Sequence, residues 1–244
     1  MDQTFKIITP VYNAEQWIGK CISSVREQTH SNFIQIIVDD CSTDDTLKVA
    51  KKAIDGDDRF IIIERQKKTG TMRGHILACD YAFSSKEIIV HLDGDDWFSS
   101  DQVLERLNKV YEDEDIWCTY GNYKTTDETP SVCKSIEDPY KPFRHYLLTG
   151  WIFSQVRSFR AFLWKGLEEE DFRSEDGSYL AVADVAIFLP VLEMAGINRL
   201  RYIPEVQMIY NRETPINDDK INRNLVIDHA FQLASREIKQ VWKS

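Results

Sequence analysis

The sequence predicts an α/β protein whose mostly parallel sheet is covered by helices on both faces. Two observations carry that prediction. Over residues 5–120 short apolar runs alternate with stretches of helical periodicity, and the runs are nearly unbroken Ile and Val instead of alternating apolar and polar residues. A third observation bears on function: two of these runs are followed directly by paired acids, at the strand ends where such sheets bind ligands.

The elements follow in order. Phe5–Thr9 is a strand stopped by Pro10, and from Glu15 to Gln28 the apolar residues Trp17, Ile18, Cys21, Ile22 and Val25 recur at helical spacing. Ile34–Val38 is a buried strand, after which Ser42-Thr43-Asp44-Asp45 caps a helix running through Ile54. Phe60–Glu64 is a third strand, and Met72, Ile76, Cys79 and Phe83 share one face of a third helix. Glu87–Leu92 is a fourth strand. Ser99, Ser100 and Asp101 cap a helix that buries Val103, Leu107 and Val110, and Ile116–Tyr120 is a fifth strand.

The second half changes character. Residues 124–142 hold Pro130, Pro139 and Pro142 and predict a loop, residues 143–164 are rich in aromatics, and an acidic stretch covers 168–178. Asp184–Ala195 predicts a helix ended by Gly196 and kinked or broken at Pro190. Leu200–Ile203 and Val206–Tyr210 predict strands, and Val226, Ala230, Leu233 and Val241 mark a final amphipathic helix. With no internal repeat and no low-complexity linker, residues 1–244 are expected to form one unit, with functional halves at 1–122 and 123–244.

Composition narrows the function. The 244 residues are 43% hydrophobic and 11% aromatic, which excludes a disordered chain. Forty acidic against 30 basic residues give a net charge of −10, which argues against a dedicated nucleic-acid binder. Five widely spaced cysteines with no CxxC pair predict reduced thiols and a cytoplasmic setting. The N-terminus lacks the pattern of a signal peptide. The apolar stretch Leu147–Trp164 contains Gln155, Arg157 and Arg160, which lipid would not tolerate, so no transmembrane segment is expected.

Three motifs carry chemistry. Asp93-Gly94-Asp95-Asp96 follows a buried strand; acids at i and i+2 around a glycine can offer two carboxylates to Mg²⁺ or Mn²⁺, although an acidic turn capping the next helix reads the same way. Asp39-Asp40-Cys41-Ser42-Thr43-Asp44-Asp45-Thr46 sets Asp39 where a carboxylate can accept a bond from a base or ribose, while Ser42–Asp45 is explained by helix capping. Thr9-Pro10-Val11-Tyr12-Asn13 is a turn at a strand end whose backbone can approach a base.

In this order the three segments resemble the GT-A glycosyltransferases of family 2: TPVYN its opening motif, VDDCSTDDT its VDDGSTDDT, and HLDGDDW its DxD segment. The resemblance covers residues 5–100 closely and implies a GT-A, Rossmann-like fold with a mixed C-terminal half that binds the acceptor. It implies that Thr9, Pro10, Val11 and Tyr12 line the nucleotide pocket with Asp39 on the base. Asp93 and Gly94 would lie against the donor and Asp95, with Asp93, would ligate Mn²⁺ or Mg²⁺ on its diphosphate. Arg73 stands where the family has an ARN-like segment and becomes a base or phosphate contact, with a solvated helix arginine as the plain alternative. Glycine often stands in the family at the position of Cys41.

The acceptor base in such inverting enzymes is an Asp opening a helix, and Asp184 matches it, although Ala183 replaces the usual Glu before it and capping of the helix dipole is an equal use for a carboxylate there. Glu175 and Asp176 are weaker candidates. Trp151 is a candidate for stacking on an acceptor sugar or for the core, and Arg212 for the diphosphate or a surface ion pair.

The expectation is therefore an inverting, metal-dependent transferase moving a sugar from a nucleoside-diphosphate sugar, UDP-linked, to a hydroxyl of a glycan, protein or lipid. The competing reading is a nucleotide-sugar-binding module without catalysis. A receiver-like domain fails because the second half has no place in it, and a haloacid-dehalogenase-like phosphatase fails because Trp97 breaks its DxDx[TV] pattern.

Overall fold

The computed structural model describes residues 2–82, 86–214 and 223–242. Four strands make the parallel part of the sheet: β1 (Phe5–Val11), β2 (Phe33–Asp39), β3 (Phe60–Glu64) and β4 (Ile88–His91). Helices α1 (Ile18–Arg26), α2 (Thr46–Ile54) and α3 (Thr71–Ala82) connect them. The sheet has eight strands in the order β3-β2-β1-β4-β7-β6-β8-β5. Its remaining strands are β5 (Trp97–Phe98), β6 (Cys118–Thr125), β7 (Ser158–Arg160) and β8 (Leu200–Tyr210), with β7 antiparallel to both β4 and β6, and β8 parallel to β6.

Side chains alternate across this sheet and build a core on each face. Ile7, Ile37, Ile88 and Val90 pack with α1 and with α4 (Val103–Tyr111) on one side. Ile8, Ile36, Val38 and Ile89 pack with α3 and with α6 (Ala183–Ala195) on the other. Covering both faces is what lets the strands be apolar at every position. Two further helices, α5 (Phe143–Thr149) and α7 (Arg223–Ser235), complete the second half.

Several elements differ from expectation. The predicted strand at Ile116–Tyr120 begins at Cys118 and continues to Thr125, because it pairs along β8 through Thr125↔Tyr210. The two strands expected at 200–203 and 206–210 are one: Pro204 falls at a register shift, where its missing N–H interrupts no ladder bond. Pro190 neither ends α6 nor divides it, and the helix is buried at nearly every position, so tertiary packing holds it together. The final helix ends at Ser235, leaving Val241 outside it, and Phe83 lies outside the described residues. The cap expected at Ser99–Asp101 is partly supplied from far away: the Leu104 N–H donates to Gln28 Oε1 at 3.0 Å.

Candidate active site

β1 is flanked by β2 on one side and β4 on the other, so the connections leaving them part and open a crevice beyond their carboxyl ends. Val11 is paired with Asp39 across β1 and β2. On the other side the Gly94 N–H donates to the Pro10 carbonyl at 3.1 Å. The two acidic segments, distant in sequence, are thus separated by the end of a single strand. Gly94 is required for that approach: a Cβ there would lie 2.6 Å from Val11 Cγ2.

The acids divide by use. Asp39 is almost fully buried; its Oδ2 accepts from the Ser42 N–H at 3.0 Å, and its Oδ1 is buried with no hydrogen bond among the described residues. A bare carboxylate oxygen in the interior is costly unless a ligand donor completes it. Asp40 is satisfied internally, accepting from Arg65 at 2.5 Å and from the N–H groups of Thr69 and Gly70, at the entry to α3. Asp44 caps α2 by accepting from the Thr46 N–H at 3.0 Å.

In the loop after β4, Asp96 is wholly buried and accepts from the Asn211 N–H at 2.7 Å, fixing the loop to the end of β8. Burial, with the nearby charges of Asp95 and Asp93, holds its carboxyl well above the usual range. Asp93 and Asp95 are half-buried. These hard oxygen donors beside an open crevice fit Mg²⁺ or Mn²⁺. Among the described residues no three His, Cys, Asp or Glu side chains are grouped to hold a metal, so a cation here would take its remaining ligands from phosphate oxygens and water.

Behind the loop lies a cluster the sequence did not reveal. His75 Nε2 is 3.8 Å from Asp93 Oδ1, and the His75 ring stacks on His91 with centroids 4.9 Å apart. Burial, and then the charge of Arg157, pushes His75 down to about 3; burial, His75 and Arg157 hold His91 well below its ordinary value. Both rings are neutral at pH 7, so the His75–Asp93 contact is not an ion pair. Arg157 itself is 1% exposed and donates from Nη1 to Asp184 Oδ2 at 2.8 Å. Arg157 had a signal in the sequence, a cation in an apolar run, which reads first as evidence against a membrane span.

Asp184 sits in the first turn of α6, and its charge is felt at His75, the residue that touches Asp93. Glu175 and Asp176 lie in an exposed turn, where hydrogen bonds from Ser174 and Ser178 hold Asp176 down to about 2.

The remaining candidates spread around the crevice. Thr9 is buried with its hydroxyl accepting from Gln35 at 2.9 Å, Pro10 is buried, and Tyr12 carries Lys68 Nζ 3.3 Å above its ring. Arg73 is half-buried, 3.9 Å from Glu169, and Arg212 donates to Asp127 at 2.9 Å. Trp151 packs edge-on against Phe153 and borders a cleft of about 450 Å³ with Tyr146, His145, Lys134 and Lys141; its Nε1 is buried without a partner among the described residues.

A profile of glycosyl transferase family 2 matches residues 6–169, from β1 past β7. The chain belongs to glycosyl transferase family 2. Among curated members, this family 2 chain is 31% identical to the glycosyltransferase GlyA of Streptococcus pneumoniae over 133 residues, 54% of this chain and 18% of GlyA. It therefore spans a minor part of that relative's length.

Solved structures share the fold. That of S. aureus TarS with UDP-GlcNAc superposes with a TM-score of 0.68 over 87% of this chain and 59% of that one, at 18% identity. Glucosyl-3-phosphoglycerate synthase of Mycobacterium tuberculosis, solved with Mn²⁺, UDP-glucose and phosphoglyceric acid, gives 0.64 over 96% and 81%, at 16% identity. The GT-A architecture expected from the motifs is the one observed, with the sheet mostly parallel in its first half. No helix among the described residues is long and apolar enough to cross a membrane.

Proposed function

We propose that the chain is an inverting glycosyltransferase that takes a sugar from a UDP-linked donor and passes it to a hydroxyl acceptor. One observation carries the reading: a buried carboxylate with an unsatisfied oxygen (Asp39) and an acidic loop (Asp93, Asp95) flank the end of β1, with the helix-opening carboxylate of Asp184 as the candidate base. In this reading Asp39 Oδ1 accepts a hydrogen bond from the base, and Pro10, Val11 and Tyr12 form the wall of its pocket. Arg73 and Lys68, on the same rim, supply the positive charge that a net acidic protein needs beside a diphosphate. Asp93 and Asp95 would hold Mn²⁺ or Mg²⁺, which when bound supplies Lewis-acid stabilisation of the leaving diphosphate. The complexes of TarS with UDP-GlcNAc and of the mycobacterial synthase with Mn²⁺ and UDP-glucose support the choice of nucleotide and metal.

Asp184 acts as general base. The acceptor oxygen bonds to the anomeric carbon as the bond from that carbon to the diphosphate oxygen breaks; the electron pair leaves with the diphosphate, and the acceptor proton passes to Asp184. Attack opposite the leaving group inverts the configuration. The Trp151 cleft is the proposed acceptor side, its ring available to stack on a sugar.

The test is a screen of nucleotide-sugars for Mn²⁺-dependent donor hydrolysis, repeated with Asp95→Ala and Asp184→Asn. The expected result is turnover of a UDP-sugar, abolished in Asp95→Ala along with metal-dependent UDP binding, and lost in Asp184→Asn with UDP binding kept. UDP binding without hydrolysis of any donor would instead identify a binding module.

A further inference from the structure

We infer that Arg157 is a positioning residue for the transfer: its guanidinium fixes one oxygen of the Asp184 carboxylate and leaves the other to the acceptor proton. The inference rests on Asp184 being the base. Two observations lead to it.

The first is rigidity. Arg157 immediately precedes β7, and its carbonyl accepts from the His91 N–H at 3.0 Å, extending the β4–β7 ladder. Its main chain cannot move without breaking that rung. From this anchored position the side chain makes one bond to Asp184, Nη1 to Oδ2 at 2.8 Å. Asp184 Oδ1 has no hydrogen bond among the described residues, and the Asp184 side chain is 42% exposed. The carboxylate is held by its inner oxygen and presents the outer one to solvent. A base so held reaches an incoming hydroxyl without first losing rotamer freedom.

The second is the incomplete bonding of the guanidinium. Arg157 Nε is buried and has no hydrogen-bond partner among the described residues. A guanidinium kept for structure would be bonded on every edge, because leaving a buried donor bare is unfavourable. Among the described residues the one side-chain hydrogen bond this guanidinium makes is to Asp184.

The experiment uses the donor selected by the hydrolysis screen and measures kcat, donor KM and the Kd for UDP with Mn²⁺. The variants are Arg157→Gln, Arg157→Lys, Asp184→Asn and the double variant Arg157→Gln/Asp184→Asn. Arg157→Gln is expected to lower kcat by about 10²-fold while UDP Kd stays within about threefold, which also reports an intact nucleotide half. Arg157→Lys should regain about tenfold of that loss, since it restores the charge without the planar fork. The double variant should be no slower than Asp184→Asn alone, as befits a residue acting through another.

A kcat for Arg157→Gln near wild type, or losses that multiply in the double variant, would overturn the proposal. Should Arg157→Gln not fold, Arg157→Lys and its double with Asp184→Asn carry the same comparison. Wild-type turnover in Asp184→Asn, or no turnover with any donor, would overturn the underlying reading instead, and is seen separately from either result with Arg157.

Discussion

At Cys41 the backbone takes φ +62°, a left-handed conformation that favours glycine. The family often has glycine at this position, and the geometry explains why: the chain turns sharply between Asp39, which faces the crevice, and the cap of α2. Cys41 offsets part of the strain through its thiol, which donates to the Arg65 carbonyl at 3.0 Å. Left-handed backbone costs a non-glycine residue about 1–2 kcal/mol, and a β-branched side chain suffers most. Cys41→Gly is therefore expected to hold or raise stability by up to about 1 kcal/mol, and Cys41→Val to lower it by about 1–2 kcal/mol. Urea unfolding of the three proteins checks both. At this scale the sequence exposed the acids but not their uses. The adjacent Asp39 and Asp40 look alike on paper, yet Arg65 and the entry to α3 absorb Asp40 while Asp39 keeps an open oxygen. Only the path of the chain after β3 separates them.

The elements of the first half were legible because each is settled by nearby sequence. Strand runs of Ile and Val, the Ser42-Thr43-Asp44-Asp45 run leading into α2 and the helical spacing in α1 are short-range signals. The misread elements depend on distant partners: β6 is lengthened by β8, β5 forms only because Met208 and Ile209 lie beside it, and α6 survives Pro190 because it is buried.

The junction between α2 and β3 offers a pH test at this scale. Arg59 hydrogen-bonds Asp57 at 2.7 and 3.0 Å, holding its carboxyl from the ordinary 3.8 down to about 2. A carboxylate depressed in the folded state contributes stability that is fully present above the unfolded value and disappears as pH falls through the folded one. Wild type should thus exceed Asp57→Asn by about 1–2 kcal/mol at pH 6, and the gap should close between about pH 4 and pH 2. Thermal melts across that range measure it, and a gap that widens toward acid would refute the assignment.

Across the whole molecule, one arginine fastens the second half together. Arg144 on α5 grips Glu193 of α6 with Nε and Nη2 at 2.6 and 3.2 Å, and also donates to the carbonyls of Ala234 in the last turn of α7 and of Arg236 and Glu237 just beyond it. Glu193 is almost fully buried. Arg144→Ala would leave that carboxylate without its counter-charge, at an expected cost of about 3 kcal/mol. Limited proteolysis should then cut within residues 234–242 before the rest of the chain, and a protease pattern like that of wild type would refute the role.

The bond from the Asn211 N–H to Asp96 has a consequence for biosynthesis. The acid emerges from the ribosome 115 residues before the amide that satisfies it. While β1 to β4 and their helices gather from local contacts, the loop after β4 lacks this bond until β8 has been translated and laid beside β6. A chain released before Asn211 therefore carries the three motifs with Asp96 lacking the amide that satisfies it in the folded protein.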